Sequence, residues 1–540
     1  MNSILVFIST LALTLFLYRR SRKSSFAYIR GPKSPSFLIG NFGELLRAQA
    51  AEADLKWQSE FGDVVRFKAP FGEDRLLISD PKAIKHISQG YKWGNCVERR
   101  ARSLVLAGPS LLYVEGDDHK RHRKIMTPAF GGSQLKALVP VFFEAAASIT
   151  KKWKDILSVS EDQSEVLNVP TWASRATFDA LGHGAFGYDF GAIENQDSDL
   201  SRAYKNLLTD MYAAPTDGMI IENALYEYLP LKVVSWMLEY TPNAKIARGR
   251  TTRDMATDVA RRMILAKSED LAELEGNKDL ISLLVKANML ETARNRLSEK
   301  ELVAQILILF LGGLESTANS LSWTLLELCR QPEIQTKLRQ EIHAKERELA
   351  REGRTEFTAE DFDNLPYLIA VVKESLRYHP VLIHILKMAM ENDCIPLSQP
   401  IKTEDGKQID QIPVRKGQKV FVSVPAFNRS KVIFGEDAHV FKPERWLDKS
   451  KANKGPSIGM YANLLTFSTG VQSCLGWRFA VLELQAFLVE LISNFEFTLT
   501  PECENIRKEY SRVVVPTLEG ELSKGAQCPL RVRCTKMSDR

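Results

Sequence analysis

Cys474 stands between two glycines, Gly470 and Gly476, directly before an apolar stretch that runs from Trp477 to Asn494. Glycines around a sulfur allow tight backbone turns, and a helix starting at Trp477 would aim its free N–H groups at the thiol. Such surroundings favour a thiolate, which is a nucleophile or a metal ligand. A loop cysteine that only caps a helix has the same local sequence. A second constellation, Gly312-Gly313-Leu314-Glu315-Ser316-Thr317, lies within a long apolar run. Glycines inside a helix cost about 1 kcal/mol each relative to alanine, so an adjacent pair needs a reason, such as close approach of a ligand. An acid beside hydroxyl groups on an apolar helix is costly unless it is used or satisfied. Hydroxyls bonded back to the preceding turn, with Glu315 paired elsewhere, are the alternative.

These groups need elements to hold them. Ser298-x-x-Glu301 forms a capping box that starts a helix ending before Pro332. At about 30 residues it would span about 45 Å and, apolar nearly all round, should cross the interior. A second helix starts near Pro366 and ends at His379-Pro380, with Glu374 and Arg377 on one face. A basic run from His119 to Lys124 opens a third after Asp117-Asp118. Helical spacing covers most of residues 130–380, and short strand-like runs occur at Val64–Phe67, Arg75–Ile78, Lys419–Val424 and Phe495–Leu499. The stretches Ser158 to Ser164 and Lys267 to Asp279 read as loops between helices. The expectation is a mainly α chain with small β-sheets, folded as one large domain.

Here the chain resembles a known family. F-x-x-G-x-[RH]-x-C-x-G is the haem-binding signature of the cytochrome P450 superfamily, matched at Phe467, Gly470, Cys474 and Gly476. Gln472 departs from it, standing where an arginine or histidine usually meets a haem propionate. Glu374-Ser-Leu-Arg377 matches the E-x-x-R pair, and Phe441 to Trp446 matches the segment whose arginine, Arg445, completes that charge network. The Gly312–Thr317 segment resembles [AG]-G-x-[DE]-T-[TS], with Ser316 in place of the usual threonine and Thr317 behind it. His119 and Arg123 stand where the family has W-x-x-x-R, with His119 replacing the tryptophan.

The resemblance implies the cytochrome P450 fold around a haem b, with Cys474 as the axial thiolate ligand, which favours O–O cleavage. It implies that Glu315 and Ser316, with Thr317, relay protons. Arg123 and Arg445 are the expected partners of the propionates, with His119 and Gln472 as further cofactor contacts. Glu374 and Arg377 lock the fold. The implied reaction is insertion of one oxygen atom from O2 into a lipophilic small molecule, with a terpenoid or related specialised metabolite as the substrate guess by analogy with fungal members. Electrons come from NADPH through a separate NADPH-cytochrome P450 reductase, with cytochrome b5 as a second donor, because no dinucleotide or flavin motif is present. A haem-thiolate gas sensor or electron carrier is the alternative. Its need for Glu315 and Ser316 is not evident. Pocket walls are expected from Val105–Leu112, Tyr212–Tyr228, Leu309–Leu314 and Val381–Ile385, all largely apolar, with His384 either a surface or packing histidine or the source of one orienting hydrogen bond.

Ser3 to Tyr18 carry no charge and are followed by Arg19, Arg20, Arg22 and Lys23. Charge after the apolar run, not before it, reads as an uncleaved anchor with the rest of the chain cytosolic. The expected division is an anchor with its basic flank over residues 1–24, a proline/glycine hinge over 25–45 and the catalytic domain over 46–540. Location at the endoplasmic reticulum membrane follows from the resemblance. Seven cysteines without a CxxC pair argue against a zinc ribbon and suit a reducing compartment. A net charge of +5 over 540 residues gives no ground for a nucleic-acid partner.

Overall fold

The computed structural model describes residues 26–194, 199–269, 279–448 and 457–535. The segment read as a membrane anchor lies outside them. Nine of the helices organise the site: α1 (Val97–Ala107), α2 (Gly116–Met126), α3 (Val139–Ser158), α4 (Val169–Leu181), α5 (Asp217–Tyr226), α6 (Ala244–Glu269), α7 (Glu299–Arg330), α8 (Pro366–Tyr378) and α9 (Trp477–Asn494).

The strands are β1 (Val64–Ala69), β2 (Glu73–Ile78), β3 (Trp93–Gly94), β4 (Ser164–Asn168), β5 (His384–Ala389), β6 (Asp393–Lys402), β7 (Gln408–Val414), β8 (Lys419–Ser423), β9 (Phe495–Leu499), β10 (Ile506–Ser511), β11 (Val513–Leu518) and β12 (Pro529–Cys534). They form a five-stranded sheet in the order β1-β2-β8-β5-β3, a three-stranded sheet β4-β12-β9 and the pairs β6-β7 and β10-β11. The architecture is mainly α with small sheets.

Helix α7 is the axis of the molecule. Its capping box forms as the spacing predicts, with Ser298 and Glu301 bonding reciprocally. From Leu302 to Cys329 most of its side chains are buried, and it packs along α4, α6, α8 and α9. Among the described residues it is the one helix long and apolar enough to cross a membrane, and its burial marks it as the core helix.

All four strand-like runs are strands. The loop expected over Lys267 to Asp279 begins later, because α6 continues to Glu269. The segment expected as a hinge is tied to the sheet: Arg66 N–H donates to Arg30 O at 2.9 Å and Asn41 N–H to Lys68 O at 2.7 Å. A Cβ on Gly31 would sit 1.7 Å from Arg66 O, so the glycine is what permits this approach.

Candidate haem-thiolate site

The loop before α9 is shaped by backbone constraints. Gly470 has φ +69°, and a Cβ there would meet Ser88 O at 2.0 Å. The N–H of Ser473 returns to Gly470 O at 3.2 Å, and that of Cys474 to Phe467 O at 2.9 Å. Phe467 is buried against the rings of Tyr461 and Trp477. Cys474 is the one exposed cysteine of the seven, although it sits deep in the fold, so its sulfur faces a space inside the protein.

The thiol departs from the sequence expectation. Burial raises its pKa, outweighing the Gly476 N–H and the Arg123 charge that pull it down. A helix start does not by itself make this sulfur a thiolate; a bound cation would.

Glu374, Arg377 and Arg445 hold this loop from beneath. Glu374 and Arg377 are fully buried and form a bidentate pair at 2.7 and 2.8 Å. Arg377 continues to Asn428 O at 3.1 Å; the Asn428 side chain bonds Leu465 N–H at 3.0 Å and Thr466 Oγ1 at 2.9 Å, one or two residues before Phe467. Arg445 was expected to serve this network and also a propionate. All five of its N–H groups are committed, to Glu374 Oε1 (3.0 Å), Asp437 Oδ1, Asp437 O, Phe434 O and Val440 O. It has no donor left for a propionate, and that part of its expected role is withdrawn.

Helix α2 faces the same loop. Arg123 donates to Ser473 O at 2.7 Å and Ser473 Oγ at 3.1 Å. His119 is buried, with its Nδ1 2.8 Å from Tyr91 Oη, and burial together with Arg123 lowers its pKa to about 4. It is a neutral hydrogen-bonding ring at neutral pH. Gln472 donates to Glu115 Oε2 at 3.1 Å and accepts from the ammonium of Lys387 on β5. Lys387 was not singled out from sequence; it reads there as one lysine in a mostly apolar run.

Across the loop, α7 offers an uncovered face. Gly312 is exposed in mid-helix, and a Cβ there would meet nothing within 4 Å. One flank is held where Gln305 Nε2 lies 3.1 Å from His122 of α2. The other is at Thr317, whose hydroxyl is the polar group acting on Glu483 of α9. The open stretch is thus framed by the two helices that flank the Cys474 loop.

Ser316 Oγ donates to Gly312 O at 2.6 Å, the back-bonded arrangement, and keeps its lone pairs free to accept. Glu315 lies near Arg248 and accepts from Leu208 N–H, yet its Oε2 has no hydrogen bond, and burial raises its pKa to about 7. Thr317 is buried. Glu483, also missed from sequence, is fully buried with no good hydrogen bond at either oxygen, and burial holds its carboxyl well above the usual range. An acid set between Leu482 and Leu484 on a mostly apolar helix was the available signal.

The cytochrome P450 family model matches residues 30–523. The chain belongs to the cytochrome P450 family. It is 33% identical to cytochrome P450 monooxygenase claQ of Ampulloclitocybe clavipes over 523 residues, covering 95% of this chain and 94% of that one. It is 33% identical to claO of the same fungus over 98% of both chains. Cytochrome P450 monooxygenase 205 of Postia placenta is 30% identical over 94% of this chain and 92% of its own. This P450 is a monooxygenase, and its residues fit a haem: an inward-facing exposed cysteine, a helix face left open at Gly312 and donors at Arg123, His119 and Lys387 around the loop.

Two other expectations meet the geometry differently. The stretch Tyr212–Tyr228 does line a cavity, but its walls include several charged side chains and are not simply apolar. His384 is held by Asp54 at 2.8 Å and is buried, as a packing histidine would be, while its Nδ1 stays without a partner.

Proposed function

We propose that Cys474 is the axial ligand of a haem b and that this P450 oxidises a lipophilic small molecule with O2 and electrons from NADPH-cytochrome P450 reductase. The observation that carries this reading is the exposed Cys474 within the fold together with the open face of α7 at Gly312, framed by α2 and α9. The haem, when bound, supplies reductive activation of O2, so that one oxygen atom enters the substrate and the other leaves as water.

The protein's part is positioning and proton supply. Arg123, His119, Gln472 and Lys387 would hold the propionate side. Ser316 Oγ, fixed by Gly312 O, presents its lone pairs to a proton donor at the open face. Glu315, with a pKa near 7, exchanges protons readily at neutral pH. Thr317 orients towards Glu483, a neutral acid behind the helix.

The terpenoid-like substrate, the N-terminal anchor and the endoplasmic reticulum location belong to this proposal, supported by the apolar run Ser3 to Tyr18 with its basic flank. A candidate substrate incubated with reductase, NADPH and 18O2 tests it. One labelled oxygen in the product is expected, with no product when reductase is omitted. NADPH-independent turnover would contradict it.

A further inference from the structure

We propose that the cavity beneath α1 and α5 receives a carboxylate on the substrate, with Arg99 as its counter-cation; this rests on the monooxygenase reading above. The cavity has a volume of about 130 Å³ and lies between α1, α5, β8 and the β10–β11 hairpin. Four cations stand on its wall, Arg75, Arg99, Lys419 and Arg512, against two carboxylates, Glu98 and Glu227.

Three of those cations are already paired. Arg75 lies 3.4 Å from Glu73, Lys419 lies 3.1 Å from Glu227, and Arg512 lies 2.7 Å from Glu98, which Arg102 also holds at 2.5 Å. The Arg99 guanidinium has no ion pair or hydrogen bond among the described residues. Burial and the neighbouring Arg512 disfavour its charge more than Cys96, Tyr510 and Glu98 favour it, which is the cost of a guanidinium with no carboxylate bonded to it.

A second group points the same way. His384 Nδ1, on the same wall and buried, has no hydrogen-bond partner, since its Nε2 is engaged by Asp54. The same wall also carries the apolar side chains of Phe42, Leu46, Met219, Ile220 and Leu386. A ligand that satisfies both kinds of lining group has one anionic head on an apolar body. One spare guanidinium matches the single charge of a carboxylate and its two-oxygen edge. Arg99 also acts electrostatically on Lys387, whose ammonium bonds Gln472 of the Cys474 loop.

The test is calorimetric titration of the full-length holoprotein with decanoate and with dehydroabietate, each against its methyl ester. Binding at least about tenfold tighter for an acid than for its ester is expected. Arg99→Gln should bring that ratio to within about twofold, and Arg99→Lys should keep most of it. Equal binding of acid and ester by the wild type, or an acid preference intact in Arg99→Gln, would overturn the proposal. So would competition by inorganic phosphate as strong as that by decanoate, which would mark a general anion site. Loss of haem from Arg99→Gln with the acid preference intact would assign Arg99 to the cofactor and also overturn it. Failure of the underlying reading shows separately, as a wild-type protein without a thiolate-type carbon monoxide spectrum.

Discussion

Lys387 on β5 donates its ammonium to the side-chain carbonyl of Gln472, two residues before Cys474. The pair places a buried cation beside a loop position where the family pattern has one built into the loop. Burial and the neighbouring Arg99 lower the Lys387 pKa to about 8. A carboxylate brought next to it would raise that value and stabilise both charges. Lys387→Met should therefore speed haem loss roughly tenfold, and Gln472→Arg in the same background should restore retention. Haem transfer to apomyoglobin measures both; equal rates in wild type and Lys387→Met would remove Lys387 from the haem contacts.

Glu374 and Arg445 support the loop from outside it. Glu374→Gln leaves Arg377 and Arg445 buried with reduced compensation, at a cost on the order of 3–5 kcal/mol. Arg445→Ala should also lower the unfolding temperature sharply. Because all five donors of Arg445 point into the network, its folded fraction should lose haem at the wild-type rate. Faster haem loss at unchanged stability would return Arg445 to the propionates.

Two glycines should respond in opposite directions. Gly470→Ala forces a side chain into a left-handed backbone and against Ser88 O, costing on the order of 1–3 kcal/mol and disturbing the Cys474 loop. Gly312→Ala meets no atom within 4 Å and should stabilise the haem-free protein by about 1 kcal/mol through helix propensity. Its methyl group enters the space facing the loop, so haem or substrate affinity should fall. Thermal unfolding of the haem-free proteins, with haem titration, checks both.

Glu315 carries a pH dependence whose sign follows from its environment. Its pKa rises from 4.5 to about 7, so the native state holds a proton that the unfolded state has lost between those values. Wild-type stability relative to Glu315→Gln should fall as pH rises from about 4.5 to 7, by on the order of 3 kcal/mol, and level off above. Denaturant unfolding across that range measures it. Ser316→Ala removes the hydroxyl held at Gly312 O and should raise hydrogen peroxide released per NADPH at the expense of product. Unchanged coupling would count against the relay.

Much of the frame was legible in the chain because it depends on local chemistry. The Ser298–Glu301 box, Pro366 and the start at Trp477 set helix ends that short-range hydrogen bonds decide. The order of Glu374, Arg377, Arg445 and Cys474 carried the family. What stayed hidden depends on long-range pairing. Strand β5 gains its partners, β3 and β8, from distant segments, and its sequence shows no clean alternation. Lys387 matters only because β5 sets it beside Gln472, 85 residues away. The dual role expected of Arg445 failed for a local reason: Asp437 and three carbonyls, all within 11 residues of it in the chain, close around it only once the segment is folded.

The most direct test of the account is the carbon monoxide difference spectrum of the reduced protein, in wild type and in Cys474→Ala. A red-shifted Soret band of thiolate-ligated ferrous haem, lost in the variant, is the predicted result. A folded wild-type protein without haem, or a histidine-type spectrum unchanged by the substitution, would contradict Cys474 as the axial ligand.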